Sequence, residues 1–187
     1  MTLSHALFPA QSRLMQVLMV LGGTMFIAIA AQISVPMFPV PMTLQTLAIL
    51  IVGLTYGARL GGATLIAYLA EGAMGLPVFA NGAGTLAYMM GPTGGFLLGF
   101  VLMAFLAGLA VDRGIAKGFV STAVVTLVAS ALLYVPGLAW PAAVMGKTMD
   151  VLWLHWMSPF LVGDAVKAII AALVVSGGWA VMKARKG

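Results

Sequence analysis

Residues 93–111 read Thr-Gly-Gly-Phe-Leu-Leu-Gly-Phe-Val-Leu-Met-Ala-Phe-Leu-Ala-Gly-Leu-Ala-Val, with no ionisable side chain between the Gly91-Pro92 break before them and Asp112-Arg113 after them. A helix needs roughly 20 apolar residues to cross the hydrocarbon core of a bilayer, and this run meets that length. The same punctuation by Gly, Pro and charge marks five further apolar segments, at 14–34, 43–57, 60–75, 117–135 and 160–182. The second and third are short for a full span, so little tilt or ends buried in protein are expected of them. The expected fold is all-α, a polytopic bundle of six transmembrane helices.

Composition supports that reading. The 187 residues are 63% hydrophobic and 7% charged, with a mean hydropathy of +1.13. A soluble domain carries about 25% charged residues, so a solvated surface cannot be built, and disorder would require low hydrophobicity. Six helices and their connections use the chain as a single domain over residues 1–187, with no room for a soluble catalytic unit. There is no Cys, hence neither disulfide nor thiolate chemistry. The two His and four acids are scattered rather than set at metal-ligand spacing, so no metal or cofactor is expected. The net charge of +5 falls at helix ends rather than on one water-facing patch, which argues against nucleic acid. The first segment also admits a signal-peptide reading, with Arg13 as basic flank and Ala28-Ile29-Ala30 as cleavage site. Its apolar run exceeds the usual 7–15 residues.

Two motif look-alikes fail on spacing. Gly146-Lys147-Thr148 resembles the end of a Walker A loop, but Pro141 stands where its first Gly belongs. Gly82-x-Gly84-x-x-Ala87 lacks a βαβ unit and an acid about 20 positions on. Any ATP hydrolysis therefore belongs to another chain, and no enzymatic activity is expected.

Lys and Arg placement sets the orientation. With the N-terminus inside, the inner segments hold Arg13, Arg59, Arg113, Lys117, Lys183, Arg185 and Lys186, whereas the outer loops hold Lys147 alone. Both termini are expected to be cytoplasmic. Three connections then face outward: 35–41, where Pro36, Pro39 and Pro41 forbid a helix; the Gly-rich 75–84; and 136–159, with Trp140, Trp153, Trp156 and His155. Glycines at four-residue spacing (Gly53, Gly57, Gly61 and Gly91, Gly95, Gly99) suit close helix packing, and the Met residues suit core filling.

Ionisable groups inside a bilayer cost about 2.5–3.5 kcal/mol each at a helix centre. Glu71 is placed in the outer half of the third segment, open to a structural or a functional reading. Asp164 and Lys167 are more informative. Three residues apart, they share one face near the outer end of the sixth helix. They form either a self-neutralising pair or the two holds of a polar ligand. Asn81 and Tyr88 are candidates for amide and hydroxyl partners at the same level, with Phe79 and the tryptophans as cover for an apolar ring. His155 reads as an interfacial residue.

Four motifs occur in order: Val40-Pro41-Met42-Thr43-Leu44-Gln45-Thr46, Gly75-Leu76-Pro77-Val78-Phe79-Ala80, Gly91-Pro92-Thr93-Gly94-Gly95-Phe96, and Gly163-Asp164-x-x-Lys167-Ala168. Over about residues 20–175 this set resembles the BioY family, the biotin-binding S-components of energy-coupling-factor (ECF) transporters. The resemblance implies a six-helix S-component in the bacterial cytoplasmic (inner) membrane that captures biotin from outside. It implies as partners a transmembrane T-component and a pair of ATP-binding-cassette ATPases. Some family members are encoded without a dedicated energising module; both kinds stay open here, and so does a homo-oligomer as a further partner. By position, Asp164 and Asn81 would serve the ureido ring, whose N–H groups need acceptors and whose carbonyl needs a donor. Lys167 would meet the valerate carboxylate, Tyr88 would line the pocket, and the 35–42 loop would close over it, stiffened by its prolines. Thr24 and Ala28 stand where S-components commonly carry an Ala-x-x-x-Ala contact for the T-component. The competing readings are an S-component for another vitamin, a small intramembrane enzyme using Asp164, His155 or Glu71, and a ligand-free assembly subunit. The enzyme is disfavoured because no paired carboxylates or Ser/His arrangement appears.

Overall fold

The computed structural model describes residues 12–184. Helix α1 (Arg13–Gln32) starts at Ser12, whose hydroxyl accepts the Met15 N–H at 3.2 Å, satisfying one of the orphan donors of the first turn. The chain then forms a short antiparallel pair, β1 (Ser34–Val35) with β2 (Met42–Thr43), in the register Ser34 opposite Thr43. Helices α2 (Gln45–Tyr56) and α3 (Ala58–Ala73) meet at Gly57, whose φ of +85° lets the chain turn without a linker. A 3-10 turn (Ala80–Gly82) and the one-turn α4 (Leu86–Met89) lead to α5 (Gly94–Asp112). Next come α6 (Phe119–Met145), the short α7 (Met149–Leu152) with a π turn (Trp153–Met157), and α8 (Leu161–Ala184).

Helices α1, α5, α6 and α8 are long and apolar enough to cross a membrane. Their outward faces are apolar too: Leu18, Leu21, Met25 and Ile29 of α1 are all more than half exposed. A soluble monomer rarely tolerates such a patch, so this is a multi-pass membrane protein. The six expected spans are thus reduced to four by this measure. At 1.5 Å per residue, the 12 residues of α2 reach about 18 Å, short of the ~30 Å of hydrocarbon. The 16 residues of α3 carry Arg59 and Glu71 near their two ends.

Central α5 packs on α6, α3 and α2, while α8 packs on α6 and α2, and α1 on α3 and α2. The glycine spacing serves this packing. A Cβ on Gly99 would lie 2.8 Å from both Leu133 Cδ1 and Pro136 Cγ of α6, and one on Gly53 would lie 2.6 Å from the Ala104 carbonyl oxygen.

The third outer connection departs from expectation. A loop was expected from Pro136, but α6 continues through Pro136 and Pro141 to Met145. A proline removes one helical hydrogen bond and crowds the preceding turn. Inside a membrane bundle a neighbouring helix can absorb that defect, and Gly95 and Gly99 leave the room for α6 to press its Pro136 turn onto α5. Beyond the non-helical residues 146–148, most of the remaining connection is helical as well, as α7 and the π turn. It is anchored by the Trp156 indole donating to the Pro92 carbonyl at 3.3 Å, and by Trp140 donating to the Gly91 carbonyl at 3.1 Å.

At the opposite end, the Ala58 N–H donates to Asp112 Oδ2 at 2.9 Å, joining the α2–α3 corner to the end of α5. Arg13, Arg59, Arg113 and Lys117 all lie at helix termini. Arg185 and Lys186 lie outside the described residues.

Candidate functional site

Asp164 sits in the first turn of α8, where unpaired N–H groups and the helix dipole favour a carboxylate. Lys167 follows three residues later on the same face. Both are buried, at 7% and 6% exposure, and the Lys167 ammonium lies 2.7 Å from Asp164 Oδ1. Charges at this depth persist only when paired and hydrogen-bonded, and three other elements supply the remaining bonds. Tyr134 of α6 donates its hydroxyl to Asp164 Oδ2 at 2.6 Å, Thr46 of α2 donates to Oδ1 at 3.4 Å, and Lys167 donates to the Thr43 carbonyl of β2 at 3.1 Å.

The pair forms one corner of an internal cavity. Its volume of about 50 Å³ is several times the 10–15 Å³ that a single water needs. Thr43, Gln45 and Thr46 extend the polar corner, and Phe79, Tyr88, Phe96, Phe100 and Phe160 form the apolar wall. Val40, Pro41 and Met42 close one side.

Phe79, expected as ring cover, is fully buried and is held from three directions. It stacks on Tyr88 with centroids 5.7 Å apart and meets the edge of Tyr68 at 5.5 Å. Behind it Gly72 is obligatory, because any Cβ there would occupy the Phe79 ring. Gln32, at the end of α1, clamps the adjoining backbone by donating to the Phe79 carbonyl at 3.0 Å and accepting the Gly82 N–H at 2.8 Å.

The structure therefore brings Asp164, Lys167, Tyr88, Phe79 and Pro41 together around one space. Other expected residues lie elsewhere. Asn81 is exposed at the rim in a left-handed conformation (φ 58°), with its Oδ1 accepting the Ser34 hydroxyl at 3.0 Å. Pro36 is exposed and Pro39 half-buried, outside the cavity wall. Trp140 and Trp156 bond to the Gly91 and Pro92 carbonyls instead, and among the described residues no tryptophan lines the cavity, whose aromatic wall is made of phenylalanines and Tyr88. His155 is exposed and Glu71 half-buried at the end of α3. Thr24 faces into the bundle at 3% exposure, which withdraws its side chain from any outside partner, and Ala28 is half-buried.

Sequence reasoning missed Tyr134, Gln45, Tyr68 and Gln32. The available signal was the polar density of Thr43-Leu44-Gln45-Thr46 at the head of an apolar helix. The assembled site can hold a small molecule with an apolar body and a polar edge that exchanges hydrogen bonds with both members of an ion pair.

The BioY family model matches residues 4–184. The "Probable biotin transporter BioY" of Pyrococcus horikoshii is 36% identical over 147 residues, covering 79% of this chain and 85% of that one. The "Biotin transporter BioY" of Rhizobium etli is 35% identical over 163 residues, covering 82% and 87%. A crystal structure of the S-component for biotin from an ECF-type ABC transporter superposes with a TM-score of 0.76 at 26% identity, over 95% of this chain and 96% of that one. With the match running from before α1 to the end of α8, the chain belongs to the BioY family.

Proposed function

We propose that this chain captures biotin and serves its uptake as the S-component of an ECF-type transporter. The observation that carries this reading is the buried Asp164–Lys167 pair at the corner of an aromatic-walled cavity. A polar edge meets the pair and a fused apolar ring lies against Phe79, Tyr88 and the other phenylalanines. The whole chain works as one domain in the bacterial cytoplasmic membrane, its six longer helices forming the bundle, with both termini cytoplasmic and the cavity end outward. A T-component and ABC-type ATPases are the partners that supply energy in this reading; the structural neighbour is the S-component of an ECF-type ABC transporter, and this sequence carries no Walker loop of its own. A partner helix meets α1 along Leu21, Met25 and Ile29, which are exposed, with Ala28 beside them.

Asp164 accepts from the ureido N–H groups. Asn81 completes that contact by turning its amide inward from Ser34 as the 35–42 segment, with Pro36, Pro39 and Pro41, closes over the ligand. Lys167 meets the valerate carboxylate, which requires the pair to part. The 2.7 Å separation favours a second arrangement, in which Lys167 donates to the ureido carbonyl while Asp164 accepts from the adjacent N–H.

Biotin binding to the detergent-purified chain, beside Asp164→Ala and Lys167→Ala, tests the function. Tight binding by the wild type and its loss in both variants is expected, and no binding by a monodisperse wild type would remove biotin as substrate. Biotin methyl ester separates the two arrangements. If Lys167 meets the carboxylate, esterification and a Lys167→Met change are not additive; if it meets the ureido edge, their costs add.

A further inference from the structure

The polar corner and the aromatic wall are joined through one buried side chain that touches neither the cavity nor the charges. The Tyr68 hydroxyl accepts from Gln45 Nε2 at 2.7 Å and donates to the Val78 carbonyl at 2.7 Å. Gln45 in turn takes the Thr43 hydroxyl on its Oε1 at 3.0 Å, and its own N–H donates to that hydroxyl at 3.1 Å. The Thr43 carbonyl carries Lys167. On the other side, the Tyr68 ring meets Phe79 edge-on, one residue beyond Val78. Tyr68 is 0% exposed and Gln45 5%, so the bond that joins them is buried. Each hydroxyl in the chain both donates and accepts, which leaves the network no slack.

We propose that Tyr68 is a positioning residue for capture: through Gln45 and Val78 it fixes the Thr43 carbonyl and the Phe79 ring relative to each other, so that the charged corner and the aromatic wall respond to ligand as one body. The physical ground is connectivity. The 42–46 segment and the 78–82 segment are separate in sequence, and the Tyr68 hydroxyl bonds to Gln45 of one and to Val78 of the other. A ligand that orders Lys167 and Thr43 thereby also orders the backbone at Val78, and Tyr68 conveys this without contacting the ligand. The inference rests on biotin as the ligand.

The test is amide hydrogen exchange with and without saturating biotin, on wild type, Tyr68→Phe and Gln45→Met. Tyr68→Phe deletes one oxygen and keeps the ring against Phe79; Gln45→Met breaks the same link at its other joint with little change in volume. In the wild type, biotin slows exchange in both 42–46 and 78–82. In each variant biotin still slows 42–46 as in the wild type, whereas 78–82 keeps only the protection of its own contact with the ligand and is slowed clearly less than in the wild type; affinity falls about tenfold, in keeping with an orphaned buried carbonyl or amide. A merely structural role moves both segments together. Overturning results are equal protection of both segments in the folded variants, or unchanged affinity in both. If the wild type itself shows no protection and no binding, the biotin reading fails instead, and the two failures are told apart by that control.

Discussion

The two ends of the bundle are held by opposite means. At the end bearing Arg59 and Arg113, backbones touch: Gly53 lies against Ala104, Gly61 lies against Gly53, and a Cβ on Gly108 would strike the backbone of Gly57 and Ala58. Asp112 caps Ala58 across that contact. At the other end α5 and α6 still meet closely at Gly95, but around the cavity the elements are joined by polar side chains, through Asp164, Lys167, Tyr134, Gln45 and Tyr68. Close glycine packing leaves no space and gives a rigid joint. A side-chain network leaves a cavity and confines the polar groups to one corner of it. Segregating the two solves the problem of a small bundle that must be firm in one half and hollow in the other.

That comparison breaks most sharply at the ion pair. Asp164→Ala leaves Lys167 buried with only the Thr43 carbonyl, and breaking a buried pair from one side costs about 3–5 kcal/mol. Replacing both partners by apolar residues, Asp164→Leu with Lys167→Met, is expected to restore much of that stability while abolishing biotin binding. Thermal or denaturant unfolding in detergent reads the first effect and ligand titration the second. A double variant as unstable as the single would show that the pair holds the fold together as well as the ligand.

Gly108→Ala probes the other end. The added methyl group meets backbone atoms on α2–α3 that cannot rotate away, and overpacking of this kind costs about 1–3 kcal/mol. Because the damage lies far from the cavity, the folded fraction should bind biotin with affinity within about twofold of wild type. Lost affinity in a folded, monodisperse sample would mean that the two ends are mechanically coupled and the division drawn above is wrong.

The same contrast explains what the sequence disclosed. Helices announce themselves locally, through uninterrupted apolar runs and small residues at i and i+4: six of the eight described helices overlap the expected segments, although only four of them are long and apolar enough to span. The exception is α6, where proline chemistry pointed to a break at Pro136 and the relief came from Gly95 and Gly99 on another helix. In the site, Asp164 and Lys167 were legible because they are neighbours on one helical face. Their partners Thr46 and Thr43 are 118 and 124 residues away, and no periodicity ties a threonine to a carboxylate at that distance. Tyr134 was hidden in an apolar run, where a tyrosine is unremarked unless its hydroxyl's partner is known.

Asn81 carries the smallest expected effect on stability and sharpens the comparison at the cavity rim. Its left-handed backbone (φ 58°) is a conformation that Asn tolerates and Gly adopts freely, whereas Ala resists it. Two substitutions therefore separate backbone from amide. Asn81→Gly keeps the turn and removes the amide together with its bond to Ser34. The side chain is exposed, so unfolding should shift by no more than about 0.5 kcal/mol. Asn81→Ala removes the amide and strains the turn as well, costing about 1 kcal/mol more. If the amide turns inward to complete the ureido contact, both variants weaken biotin binding by about tenfold, although only one of them strains the backbone. If Asn81→Gly binds as wild type does and only Asn81→Ala weakens, the residue acts through its backbone alone. The rim would then belong with the rigid half of the molecule, and the ureido ring would be held entirely at the Asp164–Lys167 corner.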